Sequence, residues 1–160
     1  GLGDVYKRQV ALCRNVIDMV EKIKQTQAEV RFSTSLSSLK LTTDSARLQQ
    51  VLINLLINAT KFTAQGTITL ELVKQTEDTA LFSVSDTGCG ISKENQNKIF
   101  NRFEKLDENA QGTGLGLSIC QLIIEQLGGK IWIDPDYDKG ARFLFTHPIC
   151  HAQIKKEETR

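Results

Sequence analysis

Leu48, Val51, Leu52, Leu55, Leu56, Ala59 and Phe62 recur at helical spacing, so one face of a helix reaching Phe62 is built for burial. A second stripe runs beside the first. With about 100° of turn per residue, Asn54, Asn58 and Lys61, four and three apart, share a narrow line and can act on one ligand. Two amides and an ammonium offer carbonyl oxygens to a hard cation and a positive charge to phosphate oxygens. The alternative is a solvated polar face. Asp44, or Thr43 beside it, can cap this helix by accepting from a free backbone N–H. Val10, Cys13, Ile17, Val20 and Ile23 predict another helix over 10–25, leading in from upstream. Residues 1–9 do not continue that pattern and read as a non-native or disordered leader. A third long helix is expected over 115–127, closed by Gly128 and Gly129 where a left-handed residue is needed.

Period-two alternation marks 67–73 and 79–85 as strands of a hairpin, with 74–78 as its polar connection. Shorter strands are expected at 29–33, 39–42, 130–133 and 141–146, and Ser92 can cap a short helix running to about 103. Strands in runs with helices between them favour an α+β two-layer sandwich over a strictly alternating parallel sheet. Its domain spans 10–149, and 150–160 is a charged tail expected to fray. At 160 residues, 40% of them apolar, one domain with a real core is expected.

Twenty basic and 19 acidic residues leave a net charge of +1, which provides no general field for nucleic acid or a membrane surface. Phosphate binding must therefore be local. Cys13, Cys89, Cys120 and Cys150 contain no C-x-x-C pair, so neither a zinc ribbon nor a compact disulfide framework is expected. No apolar run approaches the ~18 residues of a membrane span, so a soluble domain with reduced, cytoplasmic thiols is expected.

Candidate chemistry lies in four segments. Alternation places Asp86 on the face shared by Ala80, Phe82 and Val84, where a carboxylate needs donors. The run D-T-G-C-G-I that begins there lets backbone approach a flat ligand through Gly88 and Gly90, with Ile91 offering an apolar face. An Asp that merely bonds its own turn is the simpler reading. G-T-G-L-G-L-S, from Gly112 to Ser118, precedes the third long helix, and its free N–H groups suit phosphate. A glycine-rich connector without a ligand is the alternative. Between the two glycine segments lies I-F-N-R-F-E-K-L, in which Phe100 and Phe103 suit packing while Arg102 and Lys105 could reach phosphates. Asp134, Asp136 and Asp138 do not form a calcium loop, because Lys139 and Phe145 occupy the places of its glycine and bidentate glutamate. His147, Cys150 and His151 could ligate a metal, but as three residues beside a frayed tail they read as incidental.

N-L-L-I-N-A-T-K-F-T, D-T-G-C-G-I, I-F-N-R-F-E-K-L and G-T-G-L-G-L-S-I, in this order, resemble the N, G1, F and G2 boxes of the sensor histidine kinase catalytic domain. That family shares the Bergerat fold with the gyrase, Hsp90 and MutL ATPases. The resemblance covers roughly residues 10–149. It implies a mixed, mostly antiparallel sheet covered on one face by about three helices, and ATP with Mg²⁺ as ligands. By the same resemblance Asp86 would receive the adenine amine, Asn58 would coordinate Mg²⁺, and Asn54 and Lys61 would hold phosphates. Gly88 and Gly90, with Ile91, would close on the base, while Gly112, Gly114, Gly116 and Leu117 would let the lid meet the triphosphate. Lys105 stands where the family often has an arginine reaching the γ-phosphate, and Thr146 matches a threonine near the adenine. The γ-phosphoryl would pass to a histidine on a dimerisation hairpin and then to a response regulator receiver domain, within a homodimeric kinase that could be anchored in the inner membrane.

Two features depart from the family pattern. The family's phosphoacceptor box, a histidine followed by an acidic residue and a proline, does not occur, and both histidines, His147 and His151, are read as lying past the last strand. The lid between Lys105 and Gly112 has six residues, short for the family and similar to hybrid sensors of the Bacteroidetes type. Clamp-type hydrolytic relatives carry a glutamate at the position of Asn54, as a base for water, and an amide cannot take that proton. A degenerate module that signals by conformation alone is a third reading.

Overall fold

The computed structural model describes residues 2–37, 39, 41–100 and 116–149. Four helices are described, α1 (Leu2–Ile23), α2 (Ser45–Phe62), α3 (Lys93–Gln96) and α4 (Gly116–Gln126). The strands are β1 (Glu29–Thr34), β2 (Thr67–Thr76), β3 (Thr79–Asp86), β4 (Ile131–Ile133) and β5 (Arg142–Pro148). They form one sheet in the order β1-β2-β3-β5-β4. β1 runs parallel to β2, and the other neighbours are antiparallel. This is the expected two-layer α+β arrangement with a mixed, mostly antiparallel sheet.

Alternation decides which face of the sheet is covered. Ile68, Leu70 and Leu72 of β2, Phe82 and Val84 of β3, and Phe143 and Phe145 of β5 are buried toward the helices. Phe82 and Phe145 stack with ring centroids 4.7 Å apart. From the helical side α2 contributes Leu48, Val51, Leu52, Leu55, Leu56 and Ala59, all buried, each Leu or Val stabilising by about 1.5–3 kcal/mol relative to exposure. Packing of this stripe, more than intrinsic propensity, holds α2 in place. Its start is set by Asp44, whose Oδ1 accepts from the Arg47 amide at 3.2 Å.

The described elements differ from the pattern-based expectation in several places. Helix α1 begins at Leu2 and not near Val10, and Gln9 is buried within it. No strand forms among the described residues of 39–42; Leu39 and Leu41 instead enter the core as isolated anchors. The β2–β3 connection is shorter than the expected 74–78, because pairing continues to Thr76 opposite Thr79 through an irregularity between Lys74 and Thr76. Described helix after Ser92 extends only to Gln96. His147 does not lie past the last strand: it sits inside β5 at 2% exposure. Its Nδ1 lies 2.8 Å from the Pro148 carbonyl oxygen and its Nε2 2.9 Å from Thr43 Oγ1. Since a carbonyl can only accept, Nδ1 carries the proton and, in the neutral ring, Nε2 accepts from the Thr43 hydroxyl. Burial pushes this imidazole's pKa down, which keeps the ring neutral.

Candidate functional site

The site forms where the C-terminal end of α2 meets the turn that leaves β3. Asp86, the last residue of β3, is 3% exposed. Its carboxylate Oδ1 accepts from the Gly88 amide at 2.9 Å and from the Ala141 amide at 3.2 Å. The Thr63 hydroxyl, buried at the C-cap of α2, also neighbours the carboxylate but stops short of a complete hydrogen bond. Both amide bonds go to one oxygen, leaving Oδ2 without a hydrogen bond among the described residues. Burial pushes the Asp86 carboxyl above its ordinary value, with the Gly88 and Ala141 amides and Thr63 pulling the other way. A buried acceptor with one oxygen fixed and the other open is suited to receive an N–H from a ligand.

The following turn is locked to α2 by backbone. The Cys89 amide donates to the Phe62 carbonyl at 3.1 Å. Only glycine fits at 88, because a Cβ there would stand 2.1 Å from Phe62 O and 2.6 Å from Thr63 Oγ1. Gly90 has a positive φ of 75°, the left-handed region that a side chain disfavours. Ile91 is half-buried against the edge of the core, and its carbonyl accepts from Gln96 Nε2 at 2.9 Å.

The polar stripe of α2 holds its expected face. Asn54 and Asn58 are half-buried and Lys61 is exposed, while the apolar stripe beside them is buried from Leu48 to Ala59, with Phe62 half-buried. Helix α4 packs along α2 and brings Cys120 next to Asn54. Burial pushes the Cys120 thiol up to about 11, with the Asn54 side chain opposing that rise. Gly116 opens α4, and a Cβ there would meet nothing within 4 Å. Leu117 is half-buried against the core. Lys105, Gly112 and Gly114, together with Arg102 and Phe103, lie outside the described residues. Phe100 packs as its spacing suggests, edge-on to Phe143 at 6.2 Å.

Thr146 is not brought to this site. In the β3–β5 register it stands opposite Leu81, while Asp86 is bonded to Ala141. The five-residue offset amounts to roughly 16 Å along a strand. Alternation also turns Thr146 to the face opposite Phe145 and His147, and its hydroxyl accepts from the Lys130 amide at 3.0 Å. It staples the approach to β4. The residues that do enclose Asp86, but that carry no local signal in the sequence, are Thr63, Tyr137, Gly140 and Ala141. Among the described residues no three His, Cys, Asp or Glu converge on a metal-sized site, and no helix is long and apolar enough to cross a membrane. Cys13, Cys89 and Cys120 are free thiols.

Comparison with known proteins fits this geometry. Residues 43–150 match the family described as histidine kinase-, DNA gyrase B-, and HSP90-like ATPase. The adaptive-response sensory kinase SasA of Synechococcus sp. (strain CC9311) is 41% identical over 123 residues, which cover 74% of this chain and 32% of that protein. The chain thus spans about a third of the length of that curated relative. The nucleotide-free catalytic domain of histidine kinase ThkA superposes with a TM-score of 0.77 at 35% identity, covering 90% of this chain and 95% of that one. ThkA in complex with the response regulator protein TrrA gives 0.73 at 34% identity, covering 88% and 40%. From the family match over most of the chain and the likeness to kinase catalytic domains in sequence and fold, the chain belongs to the histidine kinase-, DNA gyrase B-, and HSP90-like ATPases, as a catalytic domain of the sensor histidine kinase type.

Proposed function

We propose that this chain binds ATP with Mg²⁺ and passes the γ-phosphoryl group to a histidine on a dimerisation hairpin of the same kinase. The observation that carries this reading is the Asp86 carboxylate, buried at the end of β3 with Oδ1 held by two amides. Its open oxygen matches the exocyclic amine of adenine, whereas the oxygen at that position of guanine would repel it. Ile91 and the backbone at Gly88 and Gly90 supply the flat approach to the base.

For the metal, the donor set fits Mg²⁺. The ion usually takes only one or two protein ligands and completes its shell with phosphates and water, so the amide oxygen of Asn58 can serve as its protein ligand. Bound there, the ion would neutralise phosphate charge. Asn54 and Lys61, on the same stripe, would orient the phosphates, with Lys105 and the glycines at 112, 114 and 116 assigned to the lid by their motifs alone. An amide at position 54 cannot act as a base toward water. The chain's own residues therefore position and stabilise charge, as phosphoryl transfer to a side chain requires, and leave water unactivated.

The partners in this reading are the dimerisation hairpin, a second copy of the kinase and a receiver domain. The solved complex of ThkA with TrrA, a relative with its response regulator, supports the last of these. The domain would work in the cytoplasm, with any inner-membrane anchor elsewhere in the full-length kinase. Titrating ATP against GTP tests the core of the proposal. ATP should bind at least tenfold tighter, and equal affinity would remove the adenine assignment.

A further inference from the structure

The segment between β4 and β5 holds Asp86 at three points. The Asp86 amide donates to Ala141 O at 2.9 Å, its carboxylate accepts from the Ala141 amide at 3.2 Å, and its carbonyl oxygen accepts from the Tyr137 hydroxyl at 3.0 Å. The third contact is unlike the others. The first two use only the backbone of Ala141, which any residue but proline could supply, whereas the phenol is a side chain reaching across 51 positions of sequence. The approach is tight throughout: a Cβ at Gly140 would stand 2.2 Å from Asp86 O and 2.6 Å from its Oδ1.

The phenol is itself braced. The Arg142 guanidinium lies over the Tyr137 ring, 4.3 Å from its centroid, the arrangement of a cation–π contact. Arg142 in turn donates from Nε to Ser85 Oγ at 2.9 Å and pairs with Asp134 at 3.7 Å. Ser85 is the residue before Asp86, and Asp134 opens the segment that carries Tyr137. A closed circuit therefore runs from β3 through Arg142 and Tyr137 back to the Asp86 carbonyl. That carbonyl belongs to the peptide unit through which the chain leaves β3, and the Gly88 amide that fixes Oδ1 lies two residues on. Fixing this peptide plane fixes the direction in which Oδ2 is presented.

We propose that Tyr137 is a positioning residue for the base-reading carboxylate: its hydroxyl, braced by Arg142, holds the Asp86 peptide so that Oδ2 meets a ligand's exocyclic amine. Tyr137 does not touch the base in this account, and it acts only through Asp86. The inference rests on the reading of Asp86 as the adenine acceptor.

The test compares ADP with an analogue in which hydrogen replaces the 6-amino group, by calorimetric titration of wild type, Tyr137→Phe and Tyr137→Leu. Phe keeps the ring under Arg142 and removes only the hydroxyl. Losing that one neutral hydrogen bond should weaken ADP by roughly two- to tenfold and leave the analogue within about twofold. Leu should show the same selective loss, at least as large. If Phe binds ADP like wild type while Leu does not, the ring packs and the hydroxyl does not position, and the proposal falls. If either variant weakens both ligands equally, Tyr137 is a general structural support and the proposal also falls. Should wild type fail to prefer ADP over the analogue, the adenine reading of Asp86 fails first, and the role of Tyr137 goes with it.

Discussion

Replacing Asp86 by asparagine exchanges one oxygen for an NH₂ and should separate binding from stability. The asparagine oxygen can still accept from the Gly88 and Ala141 amides, which bond to a single atom, Oδ1, so the turn is retained. The other carboxylate oxygen becomes a donor, and in the proposed binding mode it would face the adenine amine, donor against donor. A hydrogen bond to a charged group contributes about 1.5–3 kcal/mol, so ADP affinity should fall roughly 10- to 150-fold at 1.4 kcal/mol per decade. Stability should move the other way. Burial raises the Asp86 carboxyl in the folded protein above its ordinary value, so the native state binds this proton more tightly than the unfolded chain. The stabilisation from that proton is full below the unfolded pKa and is lost as pH rises through the folded one. At neutral pH the ionised carboxylate is therefore a cost that asparagine removes, and Asp86→Asn should melt at or above the wild-type temperature. Calorimetric titration with ADP and thermal melts at pH 7 read both quantities. Unchanged ADP affinity would refute the base contact, and a lower melting temperature would refute the account of a destabilising buried charge.

Asn58→Ala should remove the Mg²⁺ dependence of ATP binding and leave adenosine binding nearly unchanged, because in the proposed reading the base is taken by Asp86; full Mg²⁺ dependence in the variant would make the α2 stripe a solvated face. His147 is held neutral between Thr43 and Pro148 with its pKa lowered by burial. In the window from that lowered value up to 6.5 the unfolded chain binds more protons, so stability should drop as pH falls through 6.5 and level off below the folded value. Denaturation midpoints between about pH 7.5 and 5 should show this slope, and His147→Phe should flatten it; an equal slope in that variant would assign the effect elsewhere.

Much of this site is legible from local pattern. The two stripes of α2, the hairpin of β2 and β3, and the inward aim of Asp86 follow from periods of 3.6 and 2, which short-range sterics impose on any chain. What surrounds Asp86 is not local. Thr63 lies 23 residues before it and Ala141 55 residues after it; the end of α2, tied to the turn after β3, brings the first to Asp86, and the pairing of β3 with β5 brings the second. The expectation for Thr146 rested on a motif resemblance, and the motif alone does not show that pairing places Thr146 opposite Leu81, five residues from Asp86. Tyr137 falls in a stretch whose aspartates suggest nothing more than a turn, and its role appears only once Arg142 and the Asp86 carbonyl are placed around it. His147 stands at the end of the last apolar alternation, where pattern alone cannot separate a strand's final turn inward from a tail. Leu39 and Leu41 show the opposite error: two apolar residues in alternation resemble a strand, yet they serve as separate core anchors.

Transfer of phosphate to a histidine outside the domain's own fold, as proposed, can be followed directly. The direct measurement incubates the chain with γ-labelled ATP and Mg²⁺, alone and with a dimerisation hairpin from its own kinase or a close relative. Alone it should acquire no acid-labile phosphohistidine and should hydrolyse ATP only slowly, because His147 is buried at 2% exposure, neither His147 nor His151 lies in a phosphoacceptor box of the family's pattern, and Asn54 cannot activate water. With the hairpin, label should appear on the hairpin histidine, and Asn58→Ala should abolish it. Rapid hydrolysis by the chain alone, with no label reaching any hairpin, would contradict the account.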